Sequence, residues 1–202
     1  MIDHENRRRG LFYAASLLLL LALCPPVFAQ QAQFEFDPAR TTVSFTLSDV
    51  LHTVHGTFKL KSGSIHFDPA TGMAGGSVVV DATTGDSGSG MRDRRMHKEF
   101  LESQTYSEIT FTPIRVQGEI VAQGASHLEI QGTMNLHGYD HGITITAEVL
   151  PASGQLTAKT QFPISYVKWG IKNPSTLFLR VSPTVGIDIQ AAGRLTGMPL
   201  HQ

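Results

Sequence analysis

Apolar and polar residues alternate with a period of two along most of this chain. Val43, Phe45 and Leu47 fall on one side of an extended segment, with Thr42, Ser44, Thr46 and Ser48 on the other. The pattern recurs in Phe34 and Phe36, Phe58 and Leu60, Ile65 and Phe67, Val78 and Val80, Ile109 and Phe111, Leu128 and Ile130, Met134 and Leu136, Ile143 and Ile145, and Val185, Ile187 and Ile189. Successive side chains of a strand point to opposite faces, so each segment predicts a strand with one apolar face. Turn signals such as Asp68-Pro69-Ala70-Thr71-Gly72 and Ala152-Ser153-Gly154 separate the strands. Many short strands of this kind predict an all-β protein, either a sandwich or a closed antiparallel barrel. In an eight-stranded barrel the inward residues either fill the interior or leave room for one ligand.

One stretch departs from this period. From Gly85 to Phe111 the sequence reads as helix, then strand: on a helical wheel Met96, Phe100 and Leu101 share one arc, while Arg94, Arg95, Lys98 and Glu99 lie opposite. Asp93 and His97, one turn apart, project onto the apolar arc, a place where a carboxylate needs N–H donors or a cation. A short amphipathic helix inserted in a β-protein predicts a lid or plug. The preceding Gly85-Asp86-Ser87-Gly88-Ser89-Gly90 lacks the Lys-Ser/Thr ending of a phosphate-binding loop and predicts a flexible hinge.

The same stretch carries Arg92-Asp93 at the helix start, Phe100-Leu101 near its end, and the strand Tyr106-Ser107-Glu108-Ile109-Thr110-Phe111. In this it resembles the YceI-like family of secreted lipid-binding proteins. Further matches follow in order: Phe45 with Gly56-Thr57-Phe58, Ser62-Gly63-Ser64-Ile65-His66-Phe67-Asp68, Gly132-Thr133-Met134-Asn135-Leu136-His137-Gly138, and Trp169-Gly170-Ile171. Ser107 stands where the family usually has Pro, and Leu51-His52-Thr53-Val54-His55 replaces a longer apolar connector. The resemblance implies a lipocalin-like antiparallel β-barrel with a short helical insert over residues 33–195. It also implies a long-chain amphiphile, a polyisoprenoid or fatty lipid, as the ligand, with storage, sequestration or transport as the role and neither catalysis nor a cofactor. The residues it assigns to the ligand channel are Phe45, Leu47, Phe58, Val80, Arg92, Phe100, Phe111, Leu136 and Trp169.

The first 29 residues add a location. Arg7-Arg8-Arg9, an apolar run from Leu11 to Leu23 and Pro25-Pro26-Val27-Phe28-Ala29 form a secretory signal peptide, too short in its apolar part for a spanning helix. The expected location is therefore periplasmic or secreted. Arg8-Arg9 admits a twin-arginine route beside the general one, and Cys24 follows Leu23, too bulky for lipoprotein processing. Without the leader the chain keeps 13 of its 16 basic and 15 of its 17 acidic residues, a net charge of −2 with no basic stripe, which argues against nucleic acid. The only cysteine leaves with the leader, so the core alone must hold the fold. Transient membrane contact and a homodimer are both compatible with this class.

Other chemistry has less support. His52 with His55 and His137 with His141 suggest a zinc or copper site if their loops met, but residues three apart on a strand point to opposite faces, and the bland reading is loop histidines. Ser62-Gly63-Ser64 lacks the strand-turn-helix context of a nucleophile elbow. Asp93 with His97 reads either as an acid–base dyad or, for a carboxylate in a first helical turn, as a structural cap. Arg92 reaches either a ligand headgroup or a loop carbonyl. Trp169 either caps a channel or closes a solid core. A solid-core module that binds only another protein is the third functional class.

Overall fold

The computed structural model describes residues 31–152, 154–176 and 180–198, so the leader lies outside the described residues. Nine antiparallel strands form one sheet: β1 (Ala32–Phe36), β2 (Thr42–Ser48), β3 (Thr53–Phe67), β4 (Ala74–Asp86), β5 (Glu108–Gln117), β6 (Ser126–Leu136), β7 (Tyr139–Ala152), β8 (Gln155–Ile164) and β9 (Val185–Thr196). The β3–β4 pairing closes the sheet on itself. β1 and β2 share one place in the ring. β2 pairs with the start of both β3 and β9, from Val43 opposite Phe58 and Ile189, whereas β1 pairs with their ends, Phe34 lying opposite Ile65 and Leu195. The barrel therefore has eight strand positions, the first broken at Asp37–Thr41. Pro38 opens a single 3-10 turn there, and the Asp37 carboxylate accepts from Ala39 N at 3.0 Å.

Three irregularities re-phase the alternation, one of them where Thr57 and Lys59 of β3 pair with Asp86 and Asp81 of β4. In β3 the register slips between Leu60 and Ser62, so the inward set passes from Phe58 and Leu60 to Ile65 and Phe67. In β5 it slips between Pro113 and Arg115, leaving Ile114 exposed while Val116 is buried. An extra residue on one strand reverses the faces beyond it. The interior divides into two apolar clusters. At one end Phe34, Phe67, Ile120, Leu128, Leu156 and Leu195 fill the barrel. Towards the other, Phe111, Met134, Leu136, Ile145, Phe162 and Ile164 pack along one wall, with Tyr166 and Ile171 of the β8–β9 connection.

The insert after β4 is α1 (Gly90–Arg95), continued by a π-helical turn over Met96–Phe100 in which Leu101 N donates to Met96 O at 2.9 Å. Polar side chains hold it. The Asp93 carboxylate accepts from Ser87 N at 2.9 Å and from the Ser87 hydroxyl, while Arg92 Nε and Nη2 donate to Ser87 Oγ and O, each at 2.8 Å. His97 Nε2 donates to the Gly85 carbonyl at 2.9 Å and Nδ1 accepts from the buried Ser103 hydroxyl at 2.9 Å, since a carbonyl can only accept. This corrects the expected flexible hinge: Asp86 pairs with Thr57, Ser87 is buried and multiply bonded, and Gly85 lies against Phe58 and Met96.

Candidate functional site

The unfilled half of the barrel holds a cavity of about 530 Å³ that opens beneath the helical insert. Its wall comes from β2 and β9 (Phe45, Leu47, Val185, Ile187), from the start of β3 (Val54, Phe58), from Ile109, Leu136 and Ile164, and from the insert (Met91, Met96, Phe100, Leu101). Register explains the convergence. Val43, Phe45 and Leu47 face Phe58, Gly56 and Val54 across β2–β3, and Phe45 faces Ile187 across β2–β9, so all point the same way as directly paired residues must. Gly56 is needed there: a Cβ would collide with the Phe45 ring and with Asp86 O, so only a glycine lets that ring lie flat on the wall beside Phe58, 5.4 Å between centroids.

Charge appears only at the rim. Arg92, Arg95, Lys172 and Asp49 border the opening. Asp49 Oδ1 accepts from Leu51 N and His52 N, each at 2.7 Å, and these backbone donors hold its carboxyl below the usual range. Asp93 is likewise lowered, chiefly by the Ser87 hydroxyl, and caps the loop instead of facing the cavity. Deeper in, the Tyr166 hydroxyl donates to Ser182 O at 2.6 Å, and burial pushes its pKa up, so it stays neutral.

Of the nine residues assigned to the channel, Phe45, Leu47, Phe58, Arg92, Phe100 and Leu136 lie together on this wall. Three do not. Phe111 is buried in the packed cluster, opposite Val78 and Met134. Val80 faces inward with Leu60 and Ile109 but stands off the cavity. Trp169 packs against the upper cluster and stacks on His141, 4.2 Å between centroids and 4° from parallel, closing the wall there and not capping the channel. The wheel also misplaced Arg95. It borders the cavity, its guanidinium 5.8 Å from the Phe100 centroid and bonded to Glu99, because a long aliphatic stem bends back over the apolar face. Residues 165–184 contribute Tyr166, Ile171, Lys172 and Val181 without any periodic signal. Ile109 and Ile187 were visible as apolar-face positions.

The four histidines do not converge. His55 bonds to Thr46 Oγ1 at 3.1 Å on the outer face of β3, His52 lies 3.7 Å from Asp49, His137 leans on Tyr106 with the rings tilted by 46°, and His141 stacks on Trp169. Among the described residues no group of three or more His, Cys, Asp or Glu is placed to hold a metal. Asp93 and His97 likewise bind different partners and form no dyad.

A closed antiparallel barrel, plugged at one end and hollow at the other beneath a helical insert, defines a lipocalin-like binding barrel. The chain belongs to the YceI-like domain family, which it matches over residues 34–192. A UPF0312 protein of Vibrio parahaemolyticus is 32% identical over 145 residues, covering 69% of this chain and 74% of the relative. A UPF0312 protein of Vibrio cholerae is 29% identical over 182 residues, covering 87% of this chain and 88% of the relative. Among solved structures, BcnA of Burkholderia cenocepacia shares the fold with a TM-score of 0.63 at 18% identity, over 78% of this chain and 98% of its own. A polyisoprenoid-binding domain from Saccharophagus degradans shares it with a TM-score of 0.60 at 18% identity, over 81% and 98%.

Proposed function

We propose that this protein is a carrier that holds one long-chain amphiphile, a polyisoprenoid or similar lipid, with its tail in the barrel cavity. The observation that carries the reading is the cavity itself: apolar along its wall, open at one end, with charge confined to the rim. About ten CH₂ groups withdrawn from water supply roughly 8 kcal/mol, the scale of micromolar binding before association costs, with no ionic contact needed. The Saccharophagus domain, described as polyisoprenoid-binding, supports the ligand class. Arg7-Arg8-Arg9, the apolar run and Ala29 support export to the periplasm or beyond, where the carrier stores, sequesters or delivers its lipid.

Native mass spectrometry of the purified protein, followed by organic extraction, tests this reading. The expected spectrum is a chain lacking residues 1–29 plus one extractable lipid. A bare mass from several expression hosts, with no uptake of added prenyl lipid, would refute it.

A further inference from the structure

The cavity is not the only hollow at the open end. A second one, of about 470 Å³, lies on the outside between the insert and the segment after Ile171, and it shares Arg95, Phe100, Lys172 and Pro174 with the first. The two lie side by side, with these four residues between them. The inner chamber is apolar; the outer one carries Arg95, Lys98 and Lys172 against Glu99 and Glu102. Both carboxylates are engaged. Glu99 accepts from Arg95 Nη2 at 3.2 Å, and Glu102 lies 3.7 Å from His137 Nε2. Lys98 and Lys172 form no ion pair among the described residues, which leaves two ammonium groups facing the outer hollow. At the rim the remaining acid, Asp49, is taken up by the backbone of its own loop.

An amphiphile seated here puts its tail inside and its head where these cations are. Resting on the lipid-carrier reading, we infer that the ligand carries an anionic headgroup, a phosphate ester or carboxylate, held in the outer hollow by Lys98 and Lys172 with Arg95 between the two hollows. Both lysines are exposed and hydrated in the free protein, so an anionic head gains two screened charge contacts that a neutral head cannot make. The reverse orientation would bury an anion against Leu136, Ile164 and Ile187, where no cation stands.

The test is an equilibrium competition on delipidated protein between geranylgeranyl phosphate and geranylgeraniol, which share one tail, with bound lipid read by extraction and mass spectrometry. Two partly screened cation contacts predict a preference of about tenfold for the phosphate, declining with added salt. In Lys98→Gln, which borders only the outer hollow, the preference should fall to about threefold while geranylgeraniol binds as before, which also shows that the variant is folded. Equal binding of the two lipids by the parent overturns the headgroup assignment but leaves the carrier reading standing. Binding of neither lipid overturns both. Inorganic phosphate bound as tightly as the prenyl phosphate would assign the hollow to a free anion, and weaker geranylgeraniol binding in the variant would make Lys98 structural; either result overturns the assignment.

Discussion

Phe100→Ala isolates the contribution of the insert as a lid. The Phe100 side chain packs against the upper apolar cluster, borders both hollows and carries the Arg95 guanidinium over its ring. A fully buried Phe→Ala costs about 3–5 kcal/mol, and Phe100 is half-buried, so roughly 1.5–2.5 kcal/mol is at stake. If half of that falls on the bound state and half on folding, the ligand off-rate rises about three- to eightfold. Arg94→Ala is the control, because Arg94 is exposed and lies off both hollows. Release of a fluorescent prenyl lipid should be followed by stopped flow at a denaturant-free pH near neutrality where both variants show native circular dichroism. Equal off-rates would mean that Phe100 only packs the insert on the barrel and takes no part in retention.

Two further perturbations address the supports of the site. Asp93 has a lowered pKa, so its contribution is complete above the unfolded value near 3.9 and is lost as pH falls through its lower folded value; hydrogen exchange over residues 87–100 should accelerate only under acid, and Asp93→Asn should show that faster exchange already at neutral pH, with unchanged exchange refuting the clamp. Gly56→Ala should force the Phe45 ring off the wall and into the cavity, costing about 1–3 kcal/mol by overpacking and reducing lipid capacity; thermal denaturation and lipid stoichiometry indistinguishable from the parent would contradict the close approach.

Alternation made the strands and their inward faces legible, since a half-buried strand cannot place apolar residues on its core side without period two. It says nothing about height along the barrel axis, which depends on strand stagger, and that is why Phe111 and Val80 are inward yet off the cavity while Phe45 and Phe58 line it. The bulges went unread: alternation gave Phe58 and Leu60, then Ile65 and Phe67, without marking the extra residue that changes phase between them. The insert was legible as an amphipathic helix, but a wheel at a fixed 100° describes neither its π turn nor an arginine stem that folds over a ring. Tyr166, Ile171 and Lys172 belong to an irregular connection whose placement depends on contacts distant in sequence, such as Tyr166 to Ser182.

The division of the barrel into plug and cavity traces to the break in its first strand. At Asp37–Thr41 the 3-10 turn interrupts pairing, and the buried Thr41 hydroxyl re-anchors the chain on Ala192, accepting from its N at 3.3 Å. Before the break Phe34 and Phe36 pack in the plug with tilted rings, 4.5 Å between centroids; after it Val43, Phe45 and Leu47 turn to the open half. The open half then carries a cost. The space opens at one end and so admits water, which then lies against apolar side chains such as Phe45, Phe58, Leu136 and Ile187. Apolar walls offer water few hydrogen-bond partners in exchange. On the carrier reading proposed above, an apolar tail replaces that water, so the same geometry that disfavours the empty barrel supplies the driving force for filling it.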